Sequence, residues 1–176
     1  VISGRPRFVV RRTGTRIIVQ AMQALPQGDR TLAFADSTHL AKFGWRGGTK
    51  NLPAAYLTGF LAGHLALKSG VSTAIADIGL APPVPGSRLF AAIKGAIDAG
   101  LPIPCASKMF PPEERIRGEH IAAYAKVLSE SDPERYKRQF NRILKRRVDL
   151  TKLPKHFETV KKKIVAKFST RRSTSK

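Results

Sequence analysis

The sequence predicts an α/β fold: a three-stranded antiparallel meander, then helix–strand–helix, then basic helices at the C-terminal end. Three observations carry this reading. Short extended runs near the start are separated by tight-turn signals, which joins sequential strands antiparallel. Two apolar segments carry helix-start and helix-stop residues at their ends. Past residue 104 the composition turns basic and helix-forming. That change divides the chain into an α/β core, residues 1–104, and a basic helical extension, residues 105–176.

Taken in order, Arg7–Arg12 is rich in β-formers and Thr13-Gly14 follows as a two-residue turn. Thr15–Leu25 is a second extended run holding Ile17, Ile18 and Val19. Pro26-Gln27-Gly28-Asp29 is a strong turn, and Thr31–Ala35 is the third strand. Leu52–Lys68 reads as a helix, with Pro53 in its first turn and Gly70 as its stop. Because it is apolar nearly all round, it is expected to be buried. Gly59 and Gly63 lie one helical turn apart, where missing side chains would admit another backbone. Thr73–Ile78 is a short apolar strand. Ser87–Ala99 is the second helix, with Ser87 at the N-cap and Gly100 after it. In the extension, a helix opens at Pro111-Pro112-Glu113-Glu114 and runs toward Ser129. Asp132-Pro133-Glu134 starts the next one, and Pro154 precedes a third.

The charge is strongly one-sided: 32 Lys and Arg against 12 Asp and Glu, net +20 on 176 residues. Residues 1–50 are net +7, residues 51–110 net +2 and residues 111–176 net +11. A nearly neutral middle therefore separates two basic ends, as expected of a folded core turned toward a polyanion. The single cysteine, Cys105, excludes an internal disulfide framework and a Cys-rich zinc site. No apolar stretch reaches the ~18 residues of a membrane helix. His39, His64, His120 and His156 are scattered without metal-ligand spacing, and no cofactor is predicted.

Three constellations bear on chemistry. In the first hairpin a two-residue turn would pair Arg12 with Thr15, Arg11 with Arg16, Val9 with Ile18 and Arg7 with Gln20. Phe8, Val10, Ile17 and Val19 would then share one face, leaving Arg7, Arg11 and Arg16 on the other. Opposed arginines call for an anion between them, which a phosphate backbone supplies; a solubilised outer face is the alternative. The glycine-rich loop Gly44–Asn51 precedes a helix and would bring backbone N–H groups, Arg46 and Lys50 to a phosphate, although it lacks Walker A spacing. Within it Trp45 either pins the loop to the core or stacks on a base. Asp36 and Asp77 each end a strand, so a metal-dependent RNA-processing nuclease is the competing enzyme reading; turn capping or pairing with arginines is their simpler role. In the extension, Arg146, Arg147 and the run Lys161, Lys162, Lys163 lie on basic helices ahead of an acid-free tail and read as RNA-contacting. The stripe Tyr136, Phe140, Ile143 and Leu144 would dock on the domain or on a partner.

Several stretches resemble archaeal-type members of the ribosomal large-subunit protein L-eighteen family, the 5S rRNA binders. They are Arg5-Pro6-Arg7, Asn51–Gly59, Asp77–Leu80, Arg115–Ile121 and Leu153–Phe157, with Gly86–Gly100 the most specific. The resemblance covers nearly the whole chain, and no single short motif carries it. It implies a non-enzymatic, cytoplasmic protein of the large ribosomal subunit. Its implied partners are 5S rRNA, large-subunit rRNA and a neighbouring 5S-binding ribosomal protein in the central protuberance. Carried onto this sequence, it implies RNA contact at Arg5, Arg7, Arg11, Arg12 and Arg16, around Lys50 and Asn51, and at Arg88 where the second helix starts; Lys94 on that helix is a further RNA-binding candidate. Relatives usually have a basic arm before the first strand, and this chain begins too late to contain it.

Overall fold

The computed structural model describes residues 4–169. Four strands, β1 (Arg7–Arg12), β2 (Ile17–Gln23), β3 (Arg30–Asp36) and β4 (Ile75–Asp77), form one sheet in the order β3-β2-β1-β4. The first three make the antiparallel meander, and β4 adds parallel to β1 after a helical crossover. Helices α1 (Leu52–Lys68) and α2 (Arg88–Asp98) cover one sheet face. The core lies between them and Phe8, Val10, Ile17, Val19, Ala33 and Ala35.

The predicted hairpin faces hold, but its register is shifted. Arg12 pairs with Ile17, Arg11 with Ile18, Val9 with Gln20 and Arg7 with Met22. The turn is longer than two residues because the Thr13 side chain organises it. The Arg16 amide donates to Thr13 Oγ1 at 2.9 Å, and the Thr13 amide donates to the Arg16 carbonyl at 2.9 Å. The slip is two residues, so every side chain keeps its face. Arg11 now opposes Ile18, and the predicted Arg11–Arg16 pair does not exist.

Helix α1 starts at Asn51, whose Oδ1 accepts from the Ala54 amide at 3.0 Å. It crosses α2 at very close range, with Gly59 against the Ala92 carbonyl and Gly63 against Ala96. A Cβ on Gly63 would lie 2.9 Å from the Ala96 Cα, and one on Gly59 would overlap Ala92 outright. A 3₁₀ segment over Ser37–Phe43, absent from the sequence reading, follows β3 and is capped by Asp36.

The helix expected from Pro111 to Ser129 is two helices, α3 (Glu113–Arg117) and α4 (Glu119–Ser131). They break at Gly118, whose φ of 84° lies in the left-handed region. Helix α5 (Pro133–Leu144) begins as predicted, with Asp132 Oδ1 accepting from the Arg135 amide at 2.9 Å. Its Phe140 stripe packs with Ala125, Leu128 and Leu150, so it docks on α4 of its own chain. Helix α6 (Leu153–Ser169) returns to the main core through Leu153, Phe157, Val160 and Ile164, spaced for one helical face. No described helix is long and apolar enough to cross a membrane.

Candidate nucleic-acid interface

Among the described residues, two surfaces concentrate cations, and their chemistry differs. The first is the sheet face away from α1 and α2. There Arg7 reaches both Asp29 and Asp77. Arg11 donates from Nη2 to Asp77 Oδ1 and from Nη1 to the Asp77 carbonyl, both at 2.9 Å. Arg16 Nη1 donates to Asp36 Oδ2 at 3.1 Å, while Asp36 Oδ1 accepts from the Thr38 amide at 2.7 Å. Burial pushes the Asp77 carboxyl up. The Arg11 hydrogen bond, the Gly79 amide and the Arg11 and Arg7 charges outweigh it and hold Asp77 below its ordinary value. The anion that the hairpin called for is thus an aspartate from another strand. Asp36 and Asp77 also stand on the two edge strands, β3 and β4. Three inter-strand spacings put those strands about 14 Å apart, against the ~4 Å between ions of a two-metal site. The two carboxylates do not form a shared metal site, and the nuclease reading loses its premise.

The second surface is a groove. One wall is the hairpin tip at Gly14 and Thr15, the loop from Gly47 to Asn51, and Arg88 at the start of α2. The other wall is α4 and α5, from His120 to Arg146. The cavity between them measures about 1100 Å³. Lys50, Arg88, Arg138, Arg142, Lys145 and Arg146 line it, with no carboxylate among the described lining residues. Low-dielectric walls carrying one sign of charge focus the field in such a cleft.

The wall is held by its own backbone. Lys50 Nζ donates to the Gly14 carbonyl at 2.9 Å, and Thr49 Oγ1 donates to the Thr15 carbonyl at 2.7 Å. Arg88 Nη1 donates to the Lys50 carbonyl at 3.0 Å, and Arg146 Nη1 reaches the Gly47 carbonyl at 3.3 Å from the far wall. Burial and then the neighbouring Arg12 charge pull the Arg88 guanidinium below its ordinary value, the mark of two cations with no anion between them. Trp45 is only 3% exposed. Its Nε1 donates to the Gly48 carbonyl at 3.1 Å, and its ring stacks on His156 at 5.2 Å and 18°. It pins the loop to the core and is not available to a base.

Of the residues expected at RNA, the groove brings together Lys50, Asn51, Arg88 and Arg146, with Arg12 beside Arg88. Arg7, Arg11 and Arg16 lie on the carboxylate-matched sheet face, and Arg5 is exposed just before it. Lys94 pairs with Asp98 at 2.7 Å. Lys161 lies 5.1 Å over the Tyr56 ring, in a separate hollow that also holds Glu113 and Glu158. Lys162 and Lys163 are exposed on α6, the latter near Gly44. Arg147 is exposed at a left-handed φ of 55° after α5. The acid-free tail includes residues 170–176, which lie outside the described residues. The groove adds Arg138, Arg142, Lys145, His120 and Tyr124, which are not among the residues expected at RNA from the sequence. Their signal was helical spacing: His120 and Tyr124 are four apart on α4, and Arg138, Arg142 and Arg146 repeat every fourth residue.

A family model described as ribosomal large subunit proteins 60S L5, and 50S L18 matches residues 3–73. The large ribosomal subunit protein uL18 of Thermofilum pendens is 53% identical over 164 residues, spanning 93% of this chain and 84% of that one. The chain belongs to the uL18 family. The uL18 of Staphylothermus marinus is 52% identical over 169 residues, spanning 96% of this chain and 84% of its own length. As an archaeal-type uL18 family member the chain is a structural protein and not an enzyme. The family-model match ends just past α1, so it covers the hairpin and loop wall of the groove. The alignment to the uL18 relatives takes in most of the chain.

Proposed function

We propose that this chain is a structural constituent of the large ribosomal subunit that binds 5S rRNA. In this reading it helps seat that RNA in the central protuberance against the large-subunit rRNA, beside a second 5S-binding ribosomal protein. The observation that carries the reading is the groove, where Lys50, Arg88, Arg138, Arg142, Lys145 and Arg146 converge with no carboxylate among them. Membership of the uL18 family and the resemblance in Gly86–Gly100 support the choice of RNA.

The mechanism is electrostatic. Each cation that meets a phosphate releases a condensed counter-ion, so affinity falls by a slope of about −0.7 to −0.9 per contact on logarithmic axes of affinity and salt. The backbone bonds that fix Lys50 and Arg88 reduce the ordering cost of binding. Filter binding of the full chain to 5S rRNA and to length-matched duplex DNA, across a salt series, tests the reading. A preference for 5S rRNA that persists as salt rises supports it; equal affinity for both overturns it.

A further inference from the structure

The groove holds something that phosphate binding does not require. Tyr124 on α4 is 46% exposed and lines the cavity, whereas its aromatic neighbour Phe140 is only 8% exposed. The two rings meet in a T at 6.3 Å and 66°. That contact braces the tyrosine and covers at most one of its faces. His120 stands one turn earlier on the same helix, and Gln139 and Asn141, residues with side-chain amides, line the same cavity. Arg138 and Arg142 bracket these two amides along α5.

From this arrangement we infer that the α4–α5 wall takes an unpaired nucleotide of the bound RNA, its base stacked on Tyr124 and its flanking phosphates held by Arg138 and Arg142. The inference deepens the RNA-binding reading and rests on it. An aromatic face is useless to a duplex, whose bases already stack on one another, and useful to a splayed base. Amide side chains supply donors and acceptors for a base edge, which a purely phosphate-binding cleft does not need. Burial and the Arg115 charge keep the His120 imidazole below its ordinary value, so near pH 7 it is a neutral hydrogen-bonding group in a basic cleft. At about 1100 Å³ the cavity is slightly larger than ordinary ligand clefts and has room for a base with its sugar and phosphate.

The test compares the full-length wild type with Tyr124→Ala, Tyr124→Phe and Tyr124→Leu. The probes are a single-stranded RNA decamer and the same decamer annealed to its complement. Stacking predicts that Tyr124→Ala and Tyr124→Leu weaken single-strand binding about 5- to 100-fold, and that Tyr124→Phe restores it. Duplex binding and the salt slope should stay as in the wild type, because no phosphate contact is removed. The leucine variant keeps an apolar neighbour for Phe140, so a loss caused by unfolding shows as a lowered Tm in the alanine variant alone. Unchanged single-strand affinity in Tyr124→Leu overturns the inference and leaves Tyr124 for a protein neighbour. An equal loss on duplex also overturns it. The decamers contain no 5S sequence, so a failed 5S preference with an intact Tyr124 effect would sink the previous reading and leave this one standing.

Discussion

The outer sheet face and the α4–α5 groove look alike in composition and unlike in electrostatics. Arg7, Arg11 and Arg16 meet Asp29, Asp77 and Asp36. The groove lining holds six cations, among them Lys50, Arg88 and Arg142, and no carboxylate among its described residues. A count of basic residues therefore overstates the positive surface of the hairpin and understates that of the groove. The charge that attracts a polyanion is the charge left after the protein has matched its own carboxylates.

The largest way to break this contrast removes the scaffold beneath both surfaces. Asn51 and Arg88 head the two helices that cross at Gly59, so their spacing depends on that crossing. Gly59→Val drives a side chain into the Ala92 carbonyl and should cost about 3 kcal/mol. Thermal unfolding followed by circular dichroism should show Tm about 10 °C lower. A Tm within 2–3 °C of wild type (about 1 kcal/mol or less) would mean that the helices part without consequence.

A smaller effect separates the two surfaces directly. Arg88→Ala should weaken RNA binding about 10-fold and flatten the salt slope by about 1. Arg11→Ala should move affinity by about 2-fold at most, because Arg11 is engaged with Asp77. Equal losses in the two variants would erase the contrast.

Asp77→Asn sharpens it from the other side by releasing Arg7 and Arg11. RNA affinity should rise about 2-fold, with a stability loss of about 1 kcal/mol for a part-buried pair whose arginines stay partly in solvent. The Asp77 carboxyl is held below its ordinary 3.8, so its contribution is present above that value and is lost as pH falls through the lowered one. Urea titrations from pH 5 down to pH 2 should therefore show a smaller acid loss in Asp77→Asn than in wild type.

The smallest effect concerns the loop. Burial, with the Arg46 and Lys163 charges, holds His156 below its ordinary 6.5, and its Nε2 accepts from the Arg46 amide at 3.2 Å. Protonation forfeits that bond. Stability should be full above about pH 6.5 and decline by about 1 kcal/mol or less as pH falls through the lowered value. Trp45 fluorescence, monitored through its stack on His156, should change over the same window, and His156→Phe should remove the change.

Much of the fold was legible because single segments declared it. The all-round apolar run of α1 with Asn51 and Pro53 at its start, and the alternation of Phe8, Val10, Ile17 and Val19, need no distant partner to be read. What escaped depended on groups far apart in sequence or on one side chain overriding a local rule. The Thr13 hydroxyl lengthened a turn that its neighbours suggested was tight. The carboxylates that quench Arg11 and Arg16 lie 66 and 20 residues away. The groove was least visible, because residues 14–15, 47–51, 88 and 120–146 meet only once the chain has folded. Its cations on α5 look, in one dimension, like an ordinary solvated helix face.

Gly118 gives this geometry a lever. A Cβ there would lie 2.9 Å from Pro53 Cγ and 3.0 Å from Leu153 Cδ2, so the corner between α3 and α4 is clamped where α1 and α6 begin. Helix α4 extends about 20 Å from that corner at 1.5 Å per residue. A rotation of about 10° at the fulcrum displaces its far end by roughly 3 Å, about the length of one hydrogen bond. The aperture of the groove is therefore set at the residue that closes α3, well away from the cations themselves. Substitutions around Pro53, Gly118 and Leu153 would widen or narrow it without changing a single charge.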